Sequence, residues 1–494
     1  MAQKTLEWEG SGRSADGRSS TAGTGAPHGG DDSAGATRPS IGLKEKIGFG
    51  MGDAGCNMSF AAVVMYLSYF YTDIYGISPA IVGVIFITMR IVDAVTDPLM
   101  GYVADRTRTR WGKYRPYLLL VPIPLAISIF LLFTTPDWGQ TAKIVYAFAT
   151  YFLMSLLYTA VSIPYCSLGG VVTSDHKERV SFQSYRFFFA GVAYLILTAS
   201  LLPLVELLGG GDEARGFQLT MGLMSVIALG MFGFCFATTR ERVVPIDETR
   251  KPLWASLKAL VRNERWLIIL GITFLQALQF FLRQGAAIYF ATYVLMLDAG
   301  AISFFITAAI VGKMLGSLIS PWFTNRFSKR RVYMTASGVM ALGSVALFFV
   351  PHDWALVTTL FFAVINFIHG IGTPISWSLM ADAEDYGEWK TRERNTALSF
   401  SGNLFFLKVG LAVAGGLVGL LLSLGGYQAG VEQQTESAIL AISLMLTLIP
   451  AGIIAILMAL IAWFGLDDRQ MDDIRRDLDS RRENGEVPPE GQPV

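Results

Sequence analysis

The chain has 494 residues, of which 52% are hydrophobic and only 16% are charged, and its mean hydropathy is +0.46. A soluble chain would carry about 25% charged residues, so this composition excludes a soluble enzyme, a nucleic-acid-binding protein and a secreted disulfide scaffold. The 39 basic and 39 acidic residues cancel, so net charge indicates no partner. The three cysteines, Cys56, Cys166 and Cys235, lie in apolar segments and are predicted to be free thiols.

The first 40 residues are rich in Gly, Ser, Asp and Thr and have no apolar period, so residues 1–40 are predicted to form a disordered tail without a signal peptide. Apolar segments long enough to cross a hydrocarbon core as helices follow. Twelve are found, near residues 47–72, 80–103, 116–135, 141–168, 184–207, 217–238, 266–293, 299–323, 332–350, 355–380, 398–424 and 438–464. A membrane β-barrel would instead show alternating segments of about 10 residues. The sequence therefore predicts an all-α membrane protein with twelve transmembrane helices.

Lysine and arginine are concentrated in alternate connections between these spans. The basic connections lie at residues 106–115, 177–179, 240–265, 326–331 and 390–394. The connections on the other side carry only Lys143 and Arg215. Because basic loops remain on the cytoplasmic side of a membrane, both termini are predicted to be cytoplasmic, in the plasma (inner) membrane of a cell.

The longest hydrophilic interruption divides the spans six and six. The predicted parts are an N-terminal six-helix bundle at 41–238, a cytoplasmic central loop at 239–265, a C-terminal six-helix bundle at 266–464 and a cytoplasmic tail at 465–494. A short helix is plausible within that tail, over Asp467–Arg482.

The two halves also repeat short motifs at matching positions. After the second span of each half comes Asp105-Arg106 or Asn325-Arg326, and after the fourth comes Glu178-Arg179 or Glu393-Arg394. Duplicated halves are how many transporters build two bundles that rock around a site near the middle of the bilayer. The repeat therefore favours transport over a membrane enzyme or a receptor.

Charged residues inside spans cost about 2.5–3.5 kcal/mol each at a helix centre, so they are expected to be paired, water-facing or functional. They are Asp53, Arg90, Asp93, Asp97, Arg186, Arg283, Lys313 and Lys408. Arg283 and Lys313 are lone charges in their spans, and we expect them to pair inside the bundle.

Asp93 and Asp97 are four residues apart and therefore lie on one face of a helix, with Thr96 beside them. Two carboxylates about 6 Å apart repel by roughly 3 kcal/mol at an effective dielectric constant near 20. The pair therefore needs a shared proton or a bound cation, and oxygen ligands suit Na⁺ rather than Zn²⁺. The alternative is a buried structural cluster in which Arg90 and Lys408 neutralise the pair.

Two interpretations are open for each of two other charged residues inside spans, Arg186 and Asp53. Arg186 either extends to the membrane surface or contacts a substrate, and Asp53 either serves helix packing or lines a cavity. Lys408 lies about ten residues inside its span and is expected to be functional. Tyr165 and Trp377 are candidates for stacking against sugar rings.

These segments resemble the glycoside–pentoside–hexuronide:cation symporters of the major facilitator superfamily, the group of the melibiose carrier, over roughly residues 43–470. The matching motifs are G-F-G-M-G-D-A-G-C-N, Y-F-Y-T-D, R-I-V-D-A-V-T-D-P-L-M-G followed by R-W-G-K-Y-R-P-Y, Y-T-A-V-S-I-P-Y-C-S-L and E-D-Y-G-E-W-K-T, with a lysine in span eleven. The resemblance implies the major facilitator fold in two six-helix bundles, with a sugar in a central cavity and alternating access.

The resemblance also implies roles for individual residues. Asp93 and Asp97 match the cation-binding carboxylates, with Thr96 standing where the melibiose carrier has Asn. Thr159 matches a hydroxyl of the cation site, and Lys408 matches the lysine that links the cation and sugar sites. Arg186 matches a sugar-binding arginine.

Several positions depart from the melibiose carrier. Cys56 and Asn57 replace a Lys-Asp pair in span one, and Ser162 and Cys166 replace a sugar-binding Asp and Trp in span four. These changes argue against an α-galactoside and resemble the xyloside and glucuronide branches, with Asn57, Ser162, Arg186, Asp53, Tyr165 and Trp377 as the predicted substrate-binding set. The loss of the span-four carboxylate favours H⁺ over Na⁺ as the coupling ion.

The predicted function is therefore cation-coupled symport of a sugar or glycoside, such as a pentoside, a glucuronide or a related oligosaccharide. The alternative is the same fold carrying a lipid or a non-sugar organic anion. No cofactor is expected beyond the coupling ion, and no enzymatic activity or nucleic-acid partner. A monomer in the lipid bilayer is expected, because each half finds its partner within the chain.

Overall fold

The computed structural model describes residues 41–243, 252–428, 431 and 433–483, so the predicted disordered tail at 1–40 lies outside the described residues. Within those ranges the chain is built from helices and has no strand, apart from one isolated bridge between Thr109 and Gly112. The cysteines Cys56, Cys166 and Cys235 are buried free thiols, as predicted.

Twelve membrane helices coincide with the predicted spans. They are α1 (Leu43–Tyr69, extended by a π-helical turn at Phe70–Ile74), α2 (Pro79–Arg106), α3 (Arg115–Leu120 and Pro122–Leu132), α4 (Gln140–Val171), α5 (His176–Gly209), α6 (Glu213–Thr238), α7 (Glu264–Tyr289, extended by a π-helical turn at Phe290–Val294), α8 (Ala299–Thr324), α9 (Lys329–Phe348), α10 (Ala355–Thr391), α11 (Thr396–Leu424) and α12 (Glu436–Leu446 and Leu448–Phe464). Among the described residues, ten helices are long and apolar enough to cross a membrane. Helices α1 and α3 complete the set of twelve.

Two further helices lie outside the spans. The loop helix, Leu253–Arg262, lies inside the segment predicted as the central loop. The tail helix, Asp468–Glu483, matches the short helix predicted near the carboxyl end, and it packs against α10.

Polar side chains fix where several helices begin. The carboxylate of Asp175 accepts hydrogen bonds from the backbone N–H groups at the start of α5, and Asp212 and Asp298 do the same for α6 and α8. The amide oxygen of Asn263 accepts from two backbone N–H groups of α7 at 3.1 Å. These groups satisfy N–H donors that have no partner within their own helix.

Helix α10 is longer than predicted, because it continues past residue 380 to Thr391. The added turns carry the acidic residues Asp382, Glu384, Asp385 and Glu388. In the structure Asp382, Asp385 and Glu388 are buried. Arg179 and Arg475, on other helices, and Arg394, which precedes α11, form ion pairs with these carboxylates. The last turns of α10 are therefore packed inside the protein.

Helices of each half pack mainly among themselves. In the first half α1 packs against α5 and α6, α4 against α2 and α3, and α3 against α6. In the second half α7 packs against α11 and α12, α8 against α10, and α9 against α10 and α12. The halves meet through α5 with α8 and α10, and through α11 with α2 and α4. The interface between the halves is therefore formed by α2, α4, α5, α8, α10 and α11.

Helices α8 and α10 cross at glycines. A Cβ atom on Gly316 would lie 1.9 Å from the carbonyl oxygen of Phe367, and one on Gly370 would lie 2.1 Å from that of Lys313. Small residues let membrane helices approach closely enough for backbone contact. This contact fixes the height of Lys313 relative to α10.

Replacing Gly316 by leucine is expected to force α8 and α10 apart and to destabilise the second half. Overpacking typically costs about 1–3 kcal/mol, so Gly316→Leu should lower the midpoint of thermal unfolding in detergent by several degrees. The matched control is Gly416→Leu on α11, where an added Cβ meets nothing within 4 Å. Equal midpoints for the two variants would contradict the tight crossing.

Candidate functional site

The two carboxylates on α2 face hydroxyl groups on α4. Asp93 and Asp97 are buried one turn apart. The Ser155 hydroxyl donates to Asp93 Oδ1 at 2.6 Å, and the Thr159 hydroxyl donates to Asp97 Oδ1 at 3.0 Å. Ser155 and Thr159 are themselves four residues apart, so two matched helix faces form a ladder of two hydrogen bonds.

Lys408 of α11 lies between the same carboxylates. Its Nζ atom is 2.7 Å from Asp97 Oδ2 and 3.3 Å from Asp93 Oδ2. Arg90 Nη1 also lies 3.3 Å from Asp93 Oδ2, and Arg90 Nη2 is 3.5 Å from the Tyr151 hydroxyl. We refer to Arg90, Asp93, Asp97, Ser155, Thr159 and Lys408 as the aspartate–lysine cluster.

The aspartate–lysine cluster is electrically balanced, with two carboxylates and two cations. Removing one partner of a buried ion pair typically costs 3–5 kcal/mol, so the carboxylates cannot simply lose Lys408. A cation or a proton bound here would supply the positive charge that Lys408 supplies in this structure. No group of three or more His, Cys, Asp or Glu side chains that could hold a metal ion occurs among the described residues, so an ion here would be held by two carboxylates and hydroxyls.

Thr96, the other predicted cation ligand, bonds elsewhere. Its hydroxyl donates to the carbonyl oxygen of Val92 in its own helix at 3.0 Å, so its role at the cation site stays a prediction. Ser155 was not predicted. The one available signal was its spacing of four from Thr159, which matches the spacing of the two aspartates.

A second cluster surrounds Arg186 on α5. Its Nε atom lies 3.1 Å from Asp53 Oδ1 of α1, Nη1 donates to Gln183 Oε1 at 3.3 Å, and Nη2 donates to Cys166 Sγ at 3.4 Å. The whole residue is only 4% exposed. Arg186 therefore does not extend to the membrane surface, and Asp53 is part of an ion pair inside the bundle.

Aromatic rings of both halves enclose the same guanidinium. Its central carbon is 4.1 Å from the ring centroid of Trp377 on α10 and 5.3 Å from that of Tyr165 on α4. Cation–π attraction at these distances holds Arg186 against the second half. The Tyr165 hydroxyl donates to the carbonyl oxygen of Phe49 at 2.7 Å, which fixes the ring. We refer to Asp53, Tyr165, Cys166, Arg186 and Trp377 as the arginine cluster.

The remaining predicted substrate residues lie next to the arginine cluster. Asn57 Nδ2 donates to the carbonyl oxygen of Asp53 one turn earlier, at 2.9 Å. Ser162 is buried on α4, one turn before Cys166. Beside them the rings of Phe60 and Tyr158 stack with centroids 4.4 Å apart. All six predicted substrate residues therefore lie on α1, α4, α5 and α10, and their roles stay predictions.

A buried ion network closes the end of the bundle at which α2, α4, α8 and α10 finish, here called the basic end. Arg179 Nη1 of α5 lies 2.7 Å from Asp385 and 3.2 Å from Asp382, both on α10. Arg475 of the tail helix reaches the same carboxylates, at 2.7 Å from Asp382 and 3.3 Å from Asp385. Lys329 of α9 also pairs with Asp382.

Arg394, which precedes α11, completes this network. Its Nη1 atom lies 3.0 Å from Asp385 and 2.7 Å from Glu388, and its Nη2 donates to the carbonyl oxygen of Gly170 on α4 at 3.2 Å. Arg179 and Arg394 are the equivalent arginines of the internal repeat, and both bind Asp385. We refer to Arg179, Lys329, Asp382, Asp385, Glu388, Arg394 and Arg475 as the gate network.

Asp105 provides a second connection at the basic end. Its carboxylate accepts hydrogen bonds from the backbone N–H groups of Ala397 and Leu398 at 2.8 and 3.0 Å, and so a residue of α2 caps α11. The Tyr114 hydroxyl donates to the same carboxylate at 2.7 Å. Burial, reinforced by Asp105, raises the pKa of Tyr114 well above its ordinary value, so the phenol remains a donor.

Neutralising Asp385 is expected to open the basic end. The Asp385→Asn variant leaves Arg179, Arg394 and Arg475 with one carboxylate fewer, a loss of about 3 kcal/mol or more for a buried ion pair. In a background that keeps Cys166 and replaces Cys56 and Cys235 by alanine, the rate of Cys166 labelling should rise about tenfold or more. The reagent is a membrane-impermeant maleimide added to vesicles that present the basic end to the medium.

The matched control is Asp473→Asn, which removes a carboxylate from an exposed ion pair of the tail helix with Arg476. That variant should label like its parent. Equal labelling rates for Asp385→Asn and Asp473→Asn would show that the gate network does not hold the basic end closed.

The sequence and the fold match known membrane transporters. The family described as MFS/sugar transport protein matches residues 48–468. The chain is 41% identical to the inner membrane symporter YicJ of Escherichia coli strain K12, over 85% of this chain and 91% of YicJ. It is 36% identical to the isoprimeverose transporter of Lactiplantibacillus pentosus, over 80% of this chain and 82% of that protein.

Among solved structures, the major facilitator superfamily transporter FucP in the outward conformation aligns with a TM-score of 0.62 at 12% identity, over 87% of this chain and 100% of FucP. That likeness shows the fold, and the sequence matches show the family. The chain is an integral membrane protein with the major facilitator superfamily fold and belongs to the MFS/sugar transport protein family.

Proposed function

We propose that this protein is a cation-coupled symporter that moves a glycoside by alternating access. The observation that carries the proposal is the position of Lys408, a residue of the second half whose ammonium group lies between both carboxylates of the first half. A cation that binds these carboxylates therefore changes a contact between the halves. The name of the relative YicJ supports symport, and those of the isoprimeverose transporter and of the MFS/sugar transport protein family support a sugar cargo.

The first step is exchange at the aspartate–lysine cluster. A proton or Na⁺ arriving at Asp93 and Asp97 removes the need for a second positive charge there, so Lys408 is released from its ion pairs. Ser155 and Thr159 donate to one oxygen of each carboxylate. Asp93 and Asp97 have their other oxygens on Lys408, so these oxygens are the acceptors for the incoming ion.

The glycoside binds at the arginine cluster. Arg186 and Asp53 offer charged donors and acceptors for sugar hydroxyls, and the rings of Tyr165 and Trp377 offer apolar faces for the sugar ring. Asn57 and Ser162 add short polar groups beside them. Because Arg186 and Trp377 come from opposite halves, a sugar between them contacts both halves at once.

Movement between orientations requires the gate network to open and close. A ligand can shift such an equilibrium only by its difference in affinity for the two states. Sugar and cation together are therefore expected to favour the state in which Arg179 and Arg394 release Asp385. Either ligand alone leaves the gate network closed, which couples their transport.

The basic end is proposed to be cytoplasmic, since its loops carry the excess of lysine and arginine. H⁺ is the favoured coupling ion, because two carboxylates with two hydroxyl donors form a small ligand set for Na⁺. A pentoside, a glucuronide or a related oligosaccharide is the proposed cargo, and a monomer is the proposed working form.

The proposal is tested by uptake of labelled glycosides into proteoliposomes, with Na⁺ and pH gradients imposed separately. Accumulation of a pentoside or glucuronide under one gradient alone would identify both the cargo and the coupling ion. If no sugar moves under either gradient, the proposal is wrong.

Replacing Asp93 by cysteine is expected to uncouple transport. The Asp93→Cys variant should lose uphill accumulation entirely and keep sugar exchange or binding, because the arginine cluster remains intact. Asp73→Asn, which alters an exposed carboxylate beyond α1, is the matched control and should accumulate sugar like the wild type. Uphill transport by Asp93→Cys would refute this assignment of the cation site.

Replacing Ser155 by alanine is expected to change the proton affinity of the cation site without destroying it. The Ser155 hydroxyl donates to the ionised Asp93 carboxylate, and a hydrogen bond to a charged group contributes about 1.5–3 kcal/mol. Because its loss destabilises the charged form, Ser155→Ala should lower the proton concentration for half-maximal uptake by about tenfold or more when H⁺ is the coupling ion. Ser128→Ala is the control, because Ser128 is also buried but donates only to the backbone oxygen of Leu125. Equal shifts in both variants would indicate a packing effect.

A further inference from the structure

The membrane core of the protein carries more positive than negative charge. Away from the ends of the spans, its charged residues are five cations, Arg90, Arg186, Arg283, Lys313 and Lys408, and three carboxylates, Asp53, Asp93 and Asp97. The aspartate–lysine cluster balances two cations with two carboxylates, and Asp53 balances Arg186. The two surplus cations, Lys313 and Arg283, therefore both belong to the second half.

Lys313 is held by an aromatic ring instead of a carboxylate. Its Nζ atom lies 3.7 Å from the ring centroid of Phe280 on α7, and both residues are half-buried. Within the described part of the chain no carboxylate lies within ion-pair distance of Lys313. Asp53 acts on it only through longer-range electrostatics, and Asp53 is already bound to Arg186. A cation–π contact contributes about 2 kcal/mol when desolvated, less than a charge at the centre of a span costs.

A histidine and a second buried cation lie behind Phe280. His369 stacks on Phe280 with ring centroids 5.1 Å apart, and its Nδ1 atom is 3.2 Å from Gln279 Nε2. Arg283 donates from Nη2 to the Ser344 hydroxyl at 2.8 Å, but its buried Nε has no acceptor. Among the described residues no carboxylate forms an ion pair with Lys313 or Arg283.

This cationic region lies next to the arginine cluster. On α10, His369 is two turns before Trp377, a rise of about 12 Å away from the basic end. On α8, Met314 follows Lys313 and packs against Gly191 of α5, little more than one turn beyond Arg186. A ligand that contacts Arg186 and Trp377 therefore has Lys313 next to the end that points away from the basic end.

We propose that Lys313 binds an acidic group, a carboxylate or a sulfonate, on the transported glycoside. The sugar ring lies at the arginine cluster, and the acidic group displaces the Lys313 ammonium from Phe280 into an ion pair. Arg283 acts at longer range and keeps this region positive. The inference rests on the proposed function and specifies in addition that the transported glycoside is negatively charged.

Two probes that differ only in the acidic group test the proposal, methyl β-glucoside and methyl β-glucuronide. Transport KM values for both are measured in the wild type and in Lys313→Met and Lys313→Arg. The readout is the ratio of KM for the glucuronide to KM for the glucoside. Losing one charge-assisted hydrogen bond should raise that ratio about tenfold or more in Lys313→Met, and Lys313→Arg should keep it near the wild-type value.

The matched control is Lys143→Met, which removes a lysine that also lies over an aromatic ring, 5.3 Å from the centroid of Tyr75. That variant should keep the wild-type ratio.

If Lys313→Met raises both KM values equally, Lys313 does not bind the acidic group. The same conclusion follows if Lys143→Met changes the KM ratio as much as Lys313→Met does. If the wild type transports the glucoside but does not bind the glucuronide, the subsite is refuted and the proposed function stands. If neither probe nor any other sugar moves, the proposed function itself fails.

Discussion

The rest of the structure depends on the ion pairs that Lys408 makes with Asp93 and Asp97. A charge in the hydrocarbon core is too costly to leave unpaired, and here the compensating charge comes from the other half of the bundle. Two helices that are far apart in the chain, α2 and α11, are therefore held together by electrostatics rather than by apolar packing alone. In the proposed mechanism, an ion that binds these carboxylates weakens this connection, so that binding leads to movement of one half against the other.

The gate network also joins the two halves by buried ion pairs, at the basic end and with more charged groups. Its two repeated arginines, Arg179 and Arg394, come from equivalent positions of the two halves and bind the same carboxylate, Asp385. One element thus receives matching contacts from both halves, and the tail helix adds Arg475. Because Asp382 and Asp385 each have three cationic partners, the network can lose one contact and keep others, as the proposed opening and closing of this interface requires.

Hydropathy was enough to predict the spans, because length and apolarity are imposed by the bilayer itself. The sequence could also indicate which charges were unusual, and through resemblance it paired Lys408 with the aspartates. Ser155 was not predicted, since its one signal, the spacing of four from Thr159, becomes informative only when α4 is known to face Asp93 and Asp97. The end of α10 was missed for a related reason, because Asp382 and Asp385 are buried only by arginines that come from distant parts of the chain.

The central claim is that the coupling ion and Lys408 compete for the same carboxylates. The most direct measurement is the affinity of the purified protein for the ion that drives uptake, in the wild type and in Lys408→Gln, together with sugar accumulation by each. The account predicts that Lys408→Gln binds the ion about tenfold more tightly or better, because the competing ammonium is gone, and that it no longer accumulates sugar. Unchanged or weaker ion binding with accumulation intact would contradict the account.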